Sequence, residues 1–150
     1  MKKTFSLLIA TTALSLNLKV KAQTPSEAPT DWLKNATAVV GLQLANAAKT
    51  YTPGQNPRSV TCGTVRLANY KDWTTGFFPG SLWYGYELTG NKALAESAKR
   101  FTLALDSVRY ITDTHDVGFM LYCSYGNGYR ITGDKVYLPA LSQGVENLYN

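Results

Sequence analysis

Histidine is almost missing from this 150-residue sequence, which has one, His115, and only two cysteines, Cys62 and Cys123. A zinc site draws its three or four ligands mainly from those residue types at short characteristic spacings, so this inventory argues against one. An oxidising compartment would permit a Cys62–Cys123 bridge, but spacing alone does not decide it, and both are read as small buried apolar residues. Long apolar runs are also lacking. The longest, Phe5 to Leu18, is too short and mixed for a membrane span, which takes about 20 residues. It follows Met1-Lys2-Lys3 and precedes Val20-Lys21-Ala22, the pattern of a secretory signal peptide over residues 1–22, cleaved after Ala22. The expected location is the bacterial periplasm, with residues 23–150 as the mature part and no membrane anchor.

Excess charge of one sign is missing too, once the leader is set aside. The whole chain carries 15 Lys and Arg against 10 Asp and Glu, but Lys2, Lys3, Lys19 and Lys21 belong to the leader. The remainder is close to neutral, so the pI near 9.2 is no argument for nucleic acid or an acidic membrane as partner.

What is present is helical patterning and aromatics. Thr30-Asp31 opens an apolar pattern from Trp32 to Ala48 that predicts a helix ending near Tyr51. Tyr51 to Asp72 reads as a long irregular connection, and a loop above about 15 residues inside a compact domain is usually functional. It delivers the chain to Asp72-Trp73-Thr74-Thr75-Gly76-Phe77-Phe78-Pro79-Gly80, where Thr74 or Thr75 is expected to cap a helix with Pro79 in its early turn. Leu94, Ala98, Phe101, Leu105 and Val108 form the apolar stripe of a further helix ending near Tyr110. The stretch from His115-Asp116 is expected to run as one helix toward Ile131, and another begins at Lys135. Gly85-Tyr86-Glu87-Leu88-Thr89-Gly90-Asn91-Lys92 matches Gly128-Tyr129-Arg130-Ile131-Thr132-Gly133-Asp134-Lys135 at an offset of 43. Helical hairpins repeating at about 40 residues mean an α-solenoid or a closed ring of hairpins. The fold class is all-α.

Two features invite chemistry. Trp73, at a loop-to-helix junction, suits a flat platform for a sugar ring, since aromatic faces pack on the apolar faces of pyranoses. Asp116 opens an apolar segment next to His115 and is either a helix N-cap or a reagent. Tyr122, Ser124, Tyr125 and Asn127 are open to either a structural or a pocket-lining role.

The segments Asp72-Trp73-Thr74-Thr75-Gly76-Phe77-Phe78-Pro79-Gly80 and His115-Asp116-Val117-Gly118-Phe119, with Leu82-Trp83 and the Thr89-Gly90 turn, resemble the unsaturated glucuronyl hydrolases, glycoside hydrolase family 88. The resemblance implies an (α/α)6 toroid of six helical hairpins. It also implies removal of a 4,5-unsaturated uronic acid from the non-reducing end of lyase-generated oligosaccharides, by hydration of the enol-ether double bond and without metal or organic cofactor. Asp116 then matches the first of two essential aspartates and is the catalytic candidate. His115 and Trp73 match substrate-binding neighbours, and the second aspartate falls beyond Asn150. Six hairpins need roughly 250 residues or more, so the chain is expected to be an N-terminal piece holding about the first half of the ring and inactive alone. A non-catalytic helical-repeat binding module, an unsaturated rhamnogalacturonyl hydrolase, and an (α/α)6 lyase or endo-hydrolase are the alternatives.

Overall fold

The helices are those of a hairpin repeat, laid down two by two. The computed structural model describes residues 30–149, so the leader and its cleavage point lie outside the described residues. Helix α1 spans Thr30–Thr50; strands β1 (Asn56–Thr61) and β2 (Thr64–Ala68) follow; α2 spans Phe77–Thr89, α3 Lys92–Leu103, α4 Val117–Leu121, α5 Asn127–Thr132 and α6 Leu138–Tyr149. The core is one cluster in which Leu82, Trp83, Leu94, Phe101, Met120 and Tyr137 are fully buried.

The repeat is visible atom by atom. Gly90 and Gly133 both take the left-handed conformation, φ 68°, that only glycine adopts cheaply, and both stop their helices there. Thr89 and Thr132 each return a hydroxyl to the carbonyl four residues back, at 2.6 Å. Asn91 and Asp134 each accept from the N–H two residues on, at 3.1 and 3.0 Å, and so start the next helical segment. Residues at equivalent places in the two copies touch: Lys71 with Asp113 at 3.4 Å, Phe77 with Phe119 with ring centres 5.2 Å apart, and Glu87 with Arg130 through a bidentate pair of 2.7 and 2.8 Å. Contacts between equivalents from one end to the other mean that α2 and the α4–α5 helix lie side by side, parallel and in register.

Glycines permit that closeness. A Cβ on Gly76 would collide with the carbonyl oxygen of Met120, and one on Gly80 would lie 2.6 Å from that of Cys123. The two glycines are four residues apart, on one face of α2.

Three expectations are corrected. The connection from Tyr51 to Asp72 is not irregular: it holds an antiparallel hairpin whose turn places Cys62 at φ 48° and exposed, so Cys62 is not a buried apolar residue. Both cysteines are free. The helix expected to reach Tyr110 ends at Leu103, and a 3-10 turn over Asp106–Tyr110 carries the chain on. The stretch expected as one helix contains a π-helical segment, Tyr122–Gly126, between α4 and α5. The Gly-Phe pairs at 76 and 118 are offset by 42, whereas the Thr-Gly turns at 89 and 132 are offset by 43. The second copy is one residue longer between them, and the wider π turn accommodates that residue without disturbing the register at either end. The carbonyls it loosens are met by side chains: Ser124 Oγ donates to Met120 O at 2.8 Å and Asn127 Nδ2 to Cys123 O at 3.0 Å.

Candidate active site

The two sequence-selected segments are the same turn in two copies of the repeat. In the first, the Asp72 carboxylate accepts from the N–H of Thr74 at 3.0 Å and from its hydroxyl at 2.7 Å. In the second, the Thr114 hydroxyl accepts from the N–H of Asp116 at 3.2 Å and lies 3.2 Å from the Asp116 carboxylate. Acid and hydroxyl have changed places, so Trp73 and His115 occupy equivalent positions, as do Thr74 and Asp116. This arrangement overturns the N-cap reading of Asp116. Its backbone is helical (φ −69°, ψ −12°) rather than the extended form usual at an N-cap, and its side chain makes no capping bond. Thr74 and Thr75 do not cap α2 either; Gly76 sits at that position without a side-chain bond.

Packing brings the two turns to one rim. Phe119, three residues after Asp116, meets Phe77 edge-on and lies 6.1 Å from the Trp73 ring at a 35° tilt. Phe77 meets Trp73 edge-on at 5.5 Å. Trp73 remains 47% exposed. The Asp116 carboxylate is 37% exposed, and the imidazole of His115, 93% exposed, reaches it through Nε2 at 3.5 Å. A tethered, wet carboxylate beside an imidazole and an aromatic platform can hold a sugar and stabilise developing positive charge.

The hairpin walls the Trp73 side. A recess of about 590 Å³ is bounded by Pro57, Arg58 and Ser59 on one flank and by Trp73, Thr74 and Ser81 on the other. The hairpin is fastened by buried Asn56, whose Nδ2 donates to Thr75 Oγ1 at 3.1 Å, and by Arg58 Nε, 3.3 Å from Asp72 Oδ2. Burial pushes the Asp72 carboxyl up, but the Thr74 hydrogen bonds and the charges of Arg58 and Arg66 prevail and hold it below its ordinary value. A second recess of about 380 Å³ adjoins along α2, sharing Phe77 and Ser81, and is lined by Tyr122 and Asn127. Ser124 and Tyr125 are buried. Arg58 and Thr114 were not singled out from sequence: nothing local distinguishes an arginine in a long connection until the hairpin turns it toward Trp73.

Among the described residues no group of three His, Cys, Asp or Glu side chains could hold a metal ion, and no helix is long and apolar enough to cross a membrane.

Helical hairpins set side by side, with an exposed tryptophan and a carboxylate on one rim, define the fold class as a toroid of helical hairpins. No protein-family model matches the chain. It is 31% identical over 147 residues to the unsaturated glucuronyl hydrolase of Formosa agariphila, covering 91% of this chain and 35% of that one. Among solved structures, an unsaturated glucuronyl hydrolase specific for heparin is 68% identical, with TM-score 0.78 over 80% of this chain and 33% of that one. A variant of the Streptococcus agalactiae unsaturated glucuronyl hydrolase, solved in complex with dGlcA-GalNAc6S, is 25% identical with TM-score 0.65, covering 77% and 32%. Over most of its own length the chain is similar to unsaturated glucuronyl hydrolases, and it spans about a third of the length of the relatives it matches.

Proposed function

We propose that the protein removes a 4,5-unsaturated uronic acid from the non-reducing end of lyase-generated oligosaccharides, with heparin-derived disaccharides as the substrate class. Water adds across the enol-ether double bond, a proton going to C4 and hydroxyl to C5. The resulting hemiketal opens to a keto-acid and releases the shortened sugar, so the glycosidic bond is lost without direct attack. In this reading Trp73 carries the unsaturated ring, and Asp116 and His115 face it. Asp116 acts as the carboxylate that positions substrate and stabilises the cation-like transition state. The observation that supports it most is the placement of Trp73 and Asp116 on equivalent turns of one rim, in a chain 68% identical to a heparin-specific hydrolase.

The test is Asp116→Asn in the full-length gene product, read by loss of the ultraviolet absorbance of the conjugated uronyl group. Turnover is expected to fall by at least about a hundredfold while the unfolding midpoint stays within a degree or two, because no cap is lost. Unchanged turnover would sink the assignment. We also read residues 1–22 as an export signal to the periplasm; a mature N-terminus at Gln23, found by terminal sequencing of protein from the periplasmic fraction, is the expected result.

A further inference from the structure

The hairpin carries one residue too many on its first strand. Pro57 pairs with Leu67 and Ser59 with Arg66, so Arg58 has no partner in the ladder and forms a β-bulge. Bulges turn a side chain out of the alternation of the strand and are over-represented beside active sites. Here Arg58 is turned into the recess walled on its other side by Trp73. Asp72 engages the guanidinium through Nε at 3.3 Å, and the Arg58 side chain is 31% exposed. Its terminal nitrogens have no hydrogen-bond partner among the described residues. Arg66 also acts on Asp72, so this corner holds two guanidinium groups against one carboxylate and remains net positive. A guanidinium held from behind, with its terminal fork presented to a recess, is suited to a planar or tetrahedral oxyanion.

We infer that Arg58 is an anion-binding residue, taking a carboxylate or sulfate group of the sugar that occupies the Trp73 recess. The inference rests on the reading of that recess as the sugar site. Asp72 serves both flanks at once: its turn sets Trp73, and its Oδ2 sets Arg58. Platform and anion site are thereby kept in fixed relation, and Asn56–Thr75 prevents the hairpin from swinging away. Substrate anions are thus read by an element outside the helical repeat.

The experiment compares the full-length gene product with Arg58→Gln and Arg58→Lys. Two unsaturated disaccharides are used that differ only in a sulfate on the second sugar. Affinity is measured by quenching of tryptophan fluorescence and turnover by loss of ultraviolet absorbance. R58Q is expected to weaken binding by about tenfold or more, and R58K, with no fork to offer, to recover only part of it. Loss confined to the sulfated disaccharide identifies sulfate as the ligand, and equal loss with both identifies the uronate carboxylate. Affinities within twofold of wild type for both sugars in both variants overturn the inference. Should wild type bind the sugars and turn neither over, the hydrolase reading fails while the affinities still decide Arg58. If wild type binds neither, both fail. R58K keeps charge and stem, so it carries the comparison even if R58Q unfolds.

Discussion

Replacing Gly76 by alanine adds one methyl group at the place where α2 meets the backbone of α4. The new Cβ would fall on the Met120 carbonyl oxygen, 2.9 Å from its carbonyl carbon and 3.1 Å from its Cα. Carbon atoms rest comfortably at about 3.5–4.0 Å, and a backbone carbonyl inside a helix cannot turn aside as a side chain can. The two helices must therefore separate by about 1 Å. The Gly76 backbone is ordinary helix, φ −75° and ψ −14°, so alanine meets no conformational penalty and even gains about 0.4–1 kcal/mol through the unfolded chain. Overpacking costs about 1–3 kcal/mol. With an unyielding neighbour we expect the upper part of that range, a net loss of about 2 kcal/mol and, for a full-length protein the size of its relatives, a fall in Tm of roughly 2–4 °C. The same displacement moves Trp73 and Phe77 relative to Phe119 and Asp116, and a 1 Å misplacement can cost about a hundredfold in rate. Gly90→Ala is the control. Its φ of 68° makes alanine strained, but nothing lies within 4 Å, so Tm should drop with kcat/KM unchanged. The measurements are thermal unfolding and kcat/KM on an unsaturated disaccharide, in the full-length gene product. If G76A behaves like G90A, losing Tm but keeping kcat/KM, then the glycine contact does not set the site.

Trp73→Ala should raise KM by about tenfold or more while lowering Tm only slightly, since the ring is half exposed and the stacking surface is worth about 1–3 kcal/mol; an unchanged KM means the platform is misassigned. Asp72 is held below its ordinary value, so its stabilisation is fully present above the unfolded aspartate value near 3.8 and lost as pH falls through the lower folded value. Asp72→Asn lacks that stabilisation from the start, so its acid unfolding should begin at the same or a higher pH, with less stability to lose below about pH 4. Burial pushes Tyr137 up to about 12, with the Asp134 charge adding to it, and raises Tyr125 as well. The unfolded chain then ionises first, so stability is full below pH 10 and falls as pH rises toward 12. Tyrosinate absorbance should show two phenols titrating only with unfolding, and Tyr137→Phe should flatten the alkaline loss.

The helices, their stop at Gly90 and Gly133, and their repetition were legible in the sequence because each depends on local chemistry. The left-handed conformation needs glycine, the N-caps Asn91 and Asp134 need a short side-chain acceptor, and an amphipathic stripe needs only periodicity. The motif residues Trp73, His115 and Asp116 stood out for the same reason, as unusual residues at element junctions. Other features were not legible, since they are decided between segments. Asp116 followed by apolar residues looks like a cap in isolation, and only its helical backbone and its bond to Thr114 deny it that role. The π turn at Tyr122–Gly126 follows from two copies that must stay in register at both ends while one is a residue longer. Cys62 reads as a buried apolar residue until the hairpin puts it at an exposed turn.

By itself, then, the sequence determined the hairpin repeat, the places where helices stop, and which residues are candidates for chemistry. Each of these rests on the preferences of a residue and its immediate neighbours. The tertiary structure decided which of those residues lie together. Gly76 and Gly80 let two helix backbones approach in parallel, and that approach carries Trp73 and Asp116, 43 positions apart, to one rim. It also decided that a bulged arginine from the hairpin walls the recess beside Trp73. Distances between remote segments depend on volume and close contact, which no local preference encodes.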